Sequence, residues 1–185
     1  MKKLIAFILI LLFLLTLVSC VPHDPGYANT VAYAGWSDDP IISDGALNKE
    51  QLQSDGVTHL PIFRMDTIED LGQFKLKYKD VLAMDYGYNS VLSFEEALNK
   101  AQWDREEFFK EHSLLVIYVT AGSGSLRFGV NDVEVLDGSV CVYVEQKNNP
   151  EIVTDDMAGW FILVEVEDEE IRGCNSFDAV FGSLK

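Results

Sequence analysis

The sequence predicts an α+β domain in which an antiparallel, sandwich-like sheet follows two helices. Three observations carry that expectation. Between Leu114 and Val166, four short segments run apolar or alternate with period two, and turn residues separate them. Upstream, Asp66-Thr67-Ile68-Glu69 and Ser93-Phe94-Glu95-Glu96 have the form of helix N-termini, each followed by apolar residues at helical spacing. At 185 residues, the chain is long enough for one domain with a real core.

The first element is a leader. Met1-Lys2-Lys3 is basic, and Leu4–Val18 is apolar apart from Thr16. That run falls short of the roughly 20 residues a membrane span needs, and it fits a secretory apolar core. Leu17-Val18-Ser19-Cys20 then resembles the lipobox of bacterial lipoproteins. The resemblance implies that the Cys20 thiol takes a lipid and that residues 1–19 are cut away. The mature chain would then be held on the extracytoplasmic face of the cell membrane. An ordinary signal peptide with an incidental cysteine, or an uncleaved anchor, is the alternative.

Charge narrows the partners. The formal net charge is −16, and losing Lys2 and Lys3 with the leader takes it to −18. Beyond the leader there is no lysine or arginine cluster, which argues against nucleic acid and against a basic lipid-binding face.

Residues 20–58 read as a tether and lead-in, broken by Pro22, Pro25, Gly26 and Pro40. Within them Thr30–Trp36 alternates weakly and can form an edge strand. Asp38-Asp39 and Asp44-Gly45 lack calcium-loop spacing and read as solvated turns. The domain is expected over 59–172, with 173–185 as a tail. Leu60-Pro61-Ile62-Phe63 reads as a short strand. Ile68, Leu71, Phe74, Tyr78 and Leu82 then give the first helix one apolar stripe, which Gly72 weakens. Leu98 and Ala101 continue the second helix, Trp103 lies at its end, and Asp104–Glu107 restart a turn that carries Phe108 and Phe109 inward.

The β block opens with Leu114–Val119, passes a glycine-rich hairpin at Ala121–Ser125, and alternates through Leu126, Phe128 and Val130. It turns at Asp137-Gly138, alternates through Val140, Val142 and Val144, and closes with Trp160–Val166. Phe108–Val119 with its glycine turn, and Pro150 to Val166, resemble the family containing the C-terminal domain of the protease complex subunit PrcB. The likeness covers about Leu60–Glu167. That family is similar in outline to chagasin-like inhibitors, β-sandwiches that insert loops into a protease cleft. The resemblance implies a protein-binding module that steadies or restrains a protease. Thr120-Ala121-Gly122-Ser123-Gly124-Ser125 lacks the aromatic residue of the inhibitor-like loop, which speaks against inhibition by that route and leaves binding open.

Two loops are therefore the binding candidates. Gly122, Ser123 and Gly124 read either as a loop that approaches a partner closely or, preferably, as a plain hairpin with glycine at positive φ. Asp155, Asp156, Met157 and Trp160 lie in or beside the longer Pro150–Trp160 loop. Trp160, sharing parity with Ile162, Val164 and Val166, is expected to face inward.

No catalytic residues, metal ligands or cofactor are expected. His23, His59 and His112 are scattered, and the run Glu165, Glu167–Glu170 reads as a solvated strand end. Cys141 and Cys174 remain after lipidation as the pair a disulfide would join, or as buried thiols. A structural envelope lipoprotein, or one that binds a small ligand or cell-wall polymer, is the alternative to protein binding.

Overall fold

The computed structural model describes residues 27–36 and 57–182; Cys20 with its leader, and the Asp38-Asp39 and Asp44-Gly45 turns, lie outside them. The described residues form three layers. Strands β1 (Asn29–Tyr33), β2 (Thr58–His59), β3 (Ile62–Met65), β4 (Leu92–Ser93), β5 (His112–Ala121), β6 (Phe128–Leu136), β7 (Ser139–Gln146), β8 (Ala158–Glu167) and β9 (Ser176–Phe181) make two sheets. One has the order β3-β5-β8-β1-β4 and the other β2-β9-β7-β6. Helices α1 (Ile68–Tyr78) and α2 (Phe94–Ala101) cover the outer face of the five-stranded sheet. The fold is α+β.

Burial on one face or two explains the texture of each strand. Leu115, Ile117, Val119, Trp160, Ile162 and Val164 face the second sheet, where Val140, Val142, Val144 and Ala179 meet them. Leu114, Val116, Tyr118, Phe161 and Leu163 face the helices, against Leu71, Phe74, Tyr78, Phe94 and Leu98. β5 and β8 are thus covered on both sides and read as continuous apolar runs. β7 is covered on one side only, so buried Val140, Val142 and Val144 alternate with partly exposed Cys141, Tyr143 and Glu145.

The glycine-rich stretch after β5 is not a hairpin. β5 and β6 belong to different sheets, so residues 122–127 carry the chain across the sandwich. No glycine in that stretch has a positive φ. The Asp137-Gly138 turn is a true two-residue hairpin, with φ of 51° and 77° and Leu136 opposite Ser139. β1 is interior, paired antiparallel with β8 and parallel with β4, and so is no edge strand. Residues 176–181, expected as tail, form β9, which runs parallel to β7 through six register pairs. Both sheets are therefore mixed, and the domain reaches past 59–172 at either end.

The helix starts follow their sequence signals, one of them shifted. Ser93 and Glu96 form the reciprocal capping box, Glu96 N–H donating to Ser93 Oγ at 3.1 Å and Ser93 N–H to Glu96 Oε2 at 2.8 Å. In α1 the cap is Thr67, not Asp66, and it accepts from Asp70 N–H at 3.1 Å. Trp103 is buried just past α2, donating its indole N–H to Glu165 Oε2 at 2.7 Å.

β6 is the one long strand at a sheet edge among the described residues. Its register shifts between Val130 and Asp132, and Asp132 Oδ1 takes the Val133 N–H at 2.9 Å. Counting outward from the hairpin, Val133 is a residue whose backbone points to the open edge. The bulge and the capped donor both blunt it against pairing with another chain.

Candidate functional site

Two of the connections between the sheets, β5 to β6 and β7 to β8, fall at one end of the sandwich. β5 ends and β8 begins there, with Ala121 opposite Ala158, and β1 ends there, with Tyr33 opposite Trp160. Residues 122–127 and 147–157 each leave one sheet and enter the other. They also hold each other.

The contacts between them are polar and numerous. Ser123 Oγ and Ser125 Oγ each lie 2.8 Å from Thr154 Oγ1. Gly124 N–H donates to the Asp156 carbonyl at 2.8 Å and to Asp156 Oδ1 at 3.1 Å. Tyr88 O–H donates to the other carboxylate oxygen, Asp156 Oδ2, at 2.5 Å. Asn148 bridges back, accepting from Arg127 N–H at 2.7 Å and donating to the Ser125 carbonyl at 2.9 Å. Arg127 donates to the Gly124 carbonyl at 2.6 Å and lies over the Trp160 ring, 4.9 Å from its centroid. Gly124 has to be a glycine in this arrangement, because a Cβ there would stand 2.6 Å from Asp156 Oδ2 and 2.8 Å from the Tyr88 ring.

Charge collects on one group. Hydrogen bonds from Thr154, Tyr88 and the Gly124 N–H hold the Asp156 carboxyl below its ordinary value of 3.8. The Tyr88 phenol is raised, first by its hydrogen bond to Asp156 and then by burial. The signs fix a pH window. A depressed carboxyl stabilises the folded loops above its ordinary value and stops doing so as pH falls through the folded value. A raised phenol contributes below 10.0 and is lost as pH rises through its folded value. Exchange of the Gly124 amide, which donates to Asp156, is therefore expected to stay slow and flat, after correction for intrinsic rates, from pH 5 to 9, and to accelerate as pH falls below about 4. Asp156→Ala should abolish that protection at neutral pH while leaving protection of β5 and β8 intact.

Of the residues singled out from sequence, Gly122, Asp155 and Met157 are exposed, and Asp156 is half-buried. Ser123 and Gly124 are buried within the staple. Trp160 is fully buried, facing inward as its parity implied, and its indole N–H has no hydrogen-bond partner. Sequence reasoning missed Tyr88, Arg127, Asn148 and Thr154, which bind the loops, and Ile152 and Val153, which the loops display. Ile152 is 80 % exposed, Val153 58 % and Met157 56 %. An apolar pair inside an otherwise polar, proline-marked loop was the signal available for the last two.

The other candidates lie elsewhere. Cys141 and Cys174 are free and unbridged. Cys141 sits on the outer face of the four-stranded sheet, where burial pushes its thiol up, away from the thiolate form a nucleophile needs. His59 Nδ1 meets Asp178 on the same sheet at 2.8 Å. His112 Nε2 meets Glu165 Oε1 at 3.2 Å at the far end of the sandwich, stacked on Phe108. The acidic run is only partly solvated: Glu165 takes the Trp103 indole, and Asp168 accepts from the buried Ser113 hydroxyl at 2.7 Å. Among the described residues no three His, Cys, Asp or Glu side chains are placed to hold a metal.

No protein-family model matches the chain, and no curated protein and no solved structure is found similar to it.

Proposed function

We propose that this chain is a lipoprotein, anchored through Cys20 to the extracytoplasmic face of a bacterial membrane, whose domain works by binding a protein partner. The partner class is a protease or a subunit that accompanies one. The observation that carries the reading is the stapled loop end. Ile152, Val153 and Met157 stand in solvent on a loop held by Thr154, Asp156 and Asn148. Apolar side chains on a fixed frame lose little conformational freedom when a partner covers them, which favours affinity. Two loops at one end of a sandwich also agree with the PrcB-like and chagasin-like outline that the sequence resembles.

The direction of β1 bears on where an anchored chain would attach. Nine residue steps, through residues 21–28, join Cys20 to Asn29, a reach of at most about 32 Å. The chain enters β1 at Asn29, opposite Val164, and leaves it at Tyr33, opposite Trp160. A lipid on Cys20 would therefore join the domain at the strand end remote from the loops, through a tether of that length.

The test has two parts. The full chain, made in a bacterium and fed labelled palmitate, should carry label that Cys20→Ala removes; persistence of label in that variant contradicts the anchoring. The full chain in detergent, used as bait in envelope extracts, should capture a protease or protease subunit that the variant Ile152→Ser/Val153→Ser/Met157→Ser no longer captures. Equal capture by both forms contradicts the loop end as the binding surface.

A further inference from the structure

Beside the stapled loops stands a third segment, residues 85–91, between α1 and α2. Both of its ends are pinned. Ala83 N–H donates to the Ala34 carbonyl at 2.9 Å, just past β1, and Glu95 N–H donates to the Met84 carbonyl at 3.2 Å. Between these points Tyr88 and Val91 exchange backbone hydrogen bonds of 3.1 and 2.9 Å across Asn89 and Ser90, which take φ of 46° and 66°. This is the two-residue turn of a tight hairpin. Gly87 has to be a glycine in it, because a Cβ there would overlap the Val91 carbonyl oxygen.

Tyr86 is what this fixed turn displays. Its side chain is 64 % exposed and adds little to the core. Contacts of 6.0, 5.1 and 2.5 Å lead from its ring through Tyr33 and Tyr88 to Asp156, the residue before exposed Met157. A specific protein interface covers about 800 Å² of each partner, a patch roughly 30 Å across. A partner seated on Met157 therefore reaches Tyr86 as well.

We infer that Tyr86 is an anchor residue of the same protein interface, and that the partner's surface around it is basic. The inference rests on the reading that the loop end binds a protein. A tyrosine offers a large, rigid, amphipathic face and loses little freedom when covered, so this residue type is enriched where interfaces draw their affinity. The charges indicate the partner's sign. Every charged residue within 85–91 and 151–157 is a carboxylate: Asp85, Glu151, Asp155 and Asp156. The first three are exposed. The two cations of the adjoining loop segments are engaged within the domain, Arg127 on the Gly124 carbonyl and the Trp160 ring, and Lys147 on Glu145 at 2.7 Å. Lysine or arginine on the partner complements these carboxylates, whereas a second copy of this chain would bring like charges together.

A photoreactive residue replacing Tyr86 in the full chain, in growing cells, should crosslink the same protein as one replacing Ile152 or Met157, identified by mass spectrometry. With the full chain in detergent as bait, Tyr86→Ala should bind that protein about tenfold more weakly or worse, and Tyr86→Phe, which keeps the ring, within about threefold of the parent. Raising salt from about 50 to about 500 mM should weaken capture severalfold, and Asp85→Lys/Asp155→Lys should weaken it at the lower salt. Unchanged circular dichroism of these exposed-site variants establishes that loss of binding is not loss of fold. Crosslinks from 152 and 157 with none, or a different protein, from 86 overturn the inference and leave the loop reading standing. So does capture that Tyr86→Ala leaves unchanged, or capture indifferent to both salt and charge reversal. No crosslink from 152 and 157 overturns both.

Discussion

Gly159→Ala is expected to cost the protein more than any other single-methyl addition in β8. A Cβ at this position would stand inside the contact distance of the Gly35 carbonyl oxygen and 2.6 Å from the Tyr118 hydroxyl. The first neighbour is backbone and has nowhere to go. Ala34 N–H donates to the Gly159 carbonyl at 2.9 Å, so the end of β1 lies directly across β8 at this residue. Making room means pulling Ala34 and Gly35 off the sheet, along with the Ala83 N–H that the Ala34 carbonyl accepts. Overpacking of this kind costs about 3 kcal/mol, a fall in Tm on the order of 10 °C for a domain this size. Gly72→Ala is the control with the opposite sign. Gly72 lies within α1, exposed, with no atom within 4 Å of an added Cβ. It should gain about 0.5–1 kcal/mol from helix propensity. Thermal melts of the two variants check both, and equal or same-sign shifts would contradict the packing described.

Phe161→Ala is expected to have an effect at least as large, for a different reason. Phe161 is fully buried on the helix-facing side of β8. Its ring is 5.0 Å from Phe94 of α2, 5.8 Å from Phe74 of α1 and 5.8 Å from Tyr118 of β5. It meets both helices and the neighbouring strand β5, so truncation loses burial and leaves a cavity shared by three elements. The cost is about 3–5 kcal/mol, a large part of the roughly 5–15 kcal/mol that holds a domain of this kind. Denaturant unfolding followed by circular dichroism measures it. Ile152→Ala serves as the contrast, since that side chain is 80 % exposed and its loss should leave the unfolding midpoint unchanged. A protein that tolerated Phe161→Ala would not have its helices seated on β8.

The parts of this fold legible in sequence are those set by near neighbours. The capping box at Ser93–Glu96 needs only four residues, and the Asp137-Gly138 hairpin only two with positive φ. β7 shows its exposed and buried faces by alternation, because one side of it meets water. The rest depends on distant partners. Leu114–Val119 is apolar throughout because two layers cover it, and that run carries no mark of which sheet follows; hence residues 122–127 read as a hairpin when they are a crossing. Ser176–Phe181 is short and follows a polar stretch, and its place is fixed only by parallel pairing with β7. The candidate site was legible as two loops but not as one structure. Tyr88 and Asp156 are 68 residues apart, and neither neighbourhood hints at the bond between them. Trp160 could be assigned inward from its parity; Arg127 over its ring could not.

If the loop end meets a protein partner outside the cytoplasm, as we propose, photocrosslinking from single positions in growing cells will capture it. A photoreactive residue replacing Ile152 or Met157 in the full chain should yield one discrete crosslinked protein, identified by mass spectrometry as a protease or protease subunit. The same residue replacing exposed Glu106, beside the Trp103 and His112 end, should not. Crosslinks of equal yield from both ends, or none from 152 and 157, would mean that the loop end is not the binding surface.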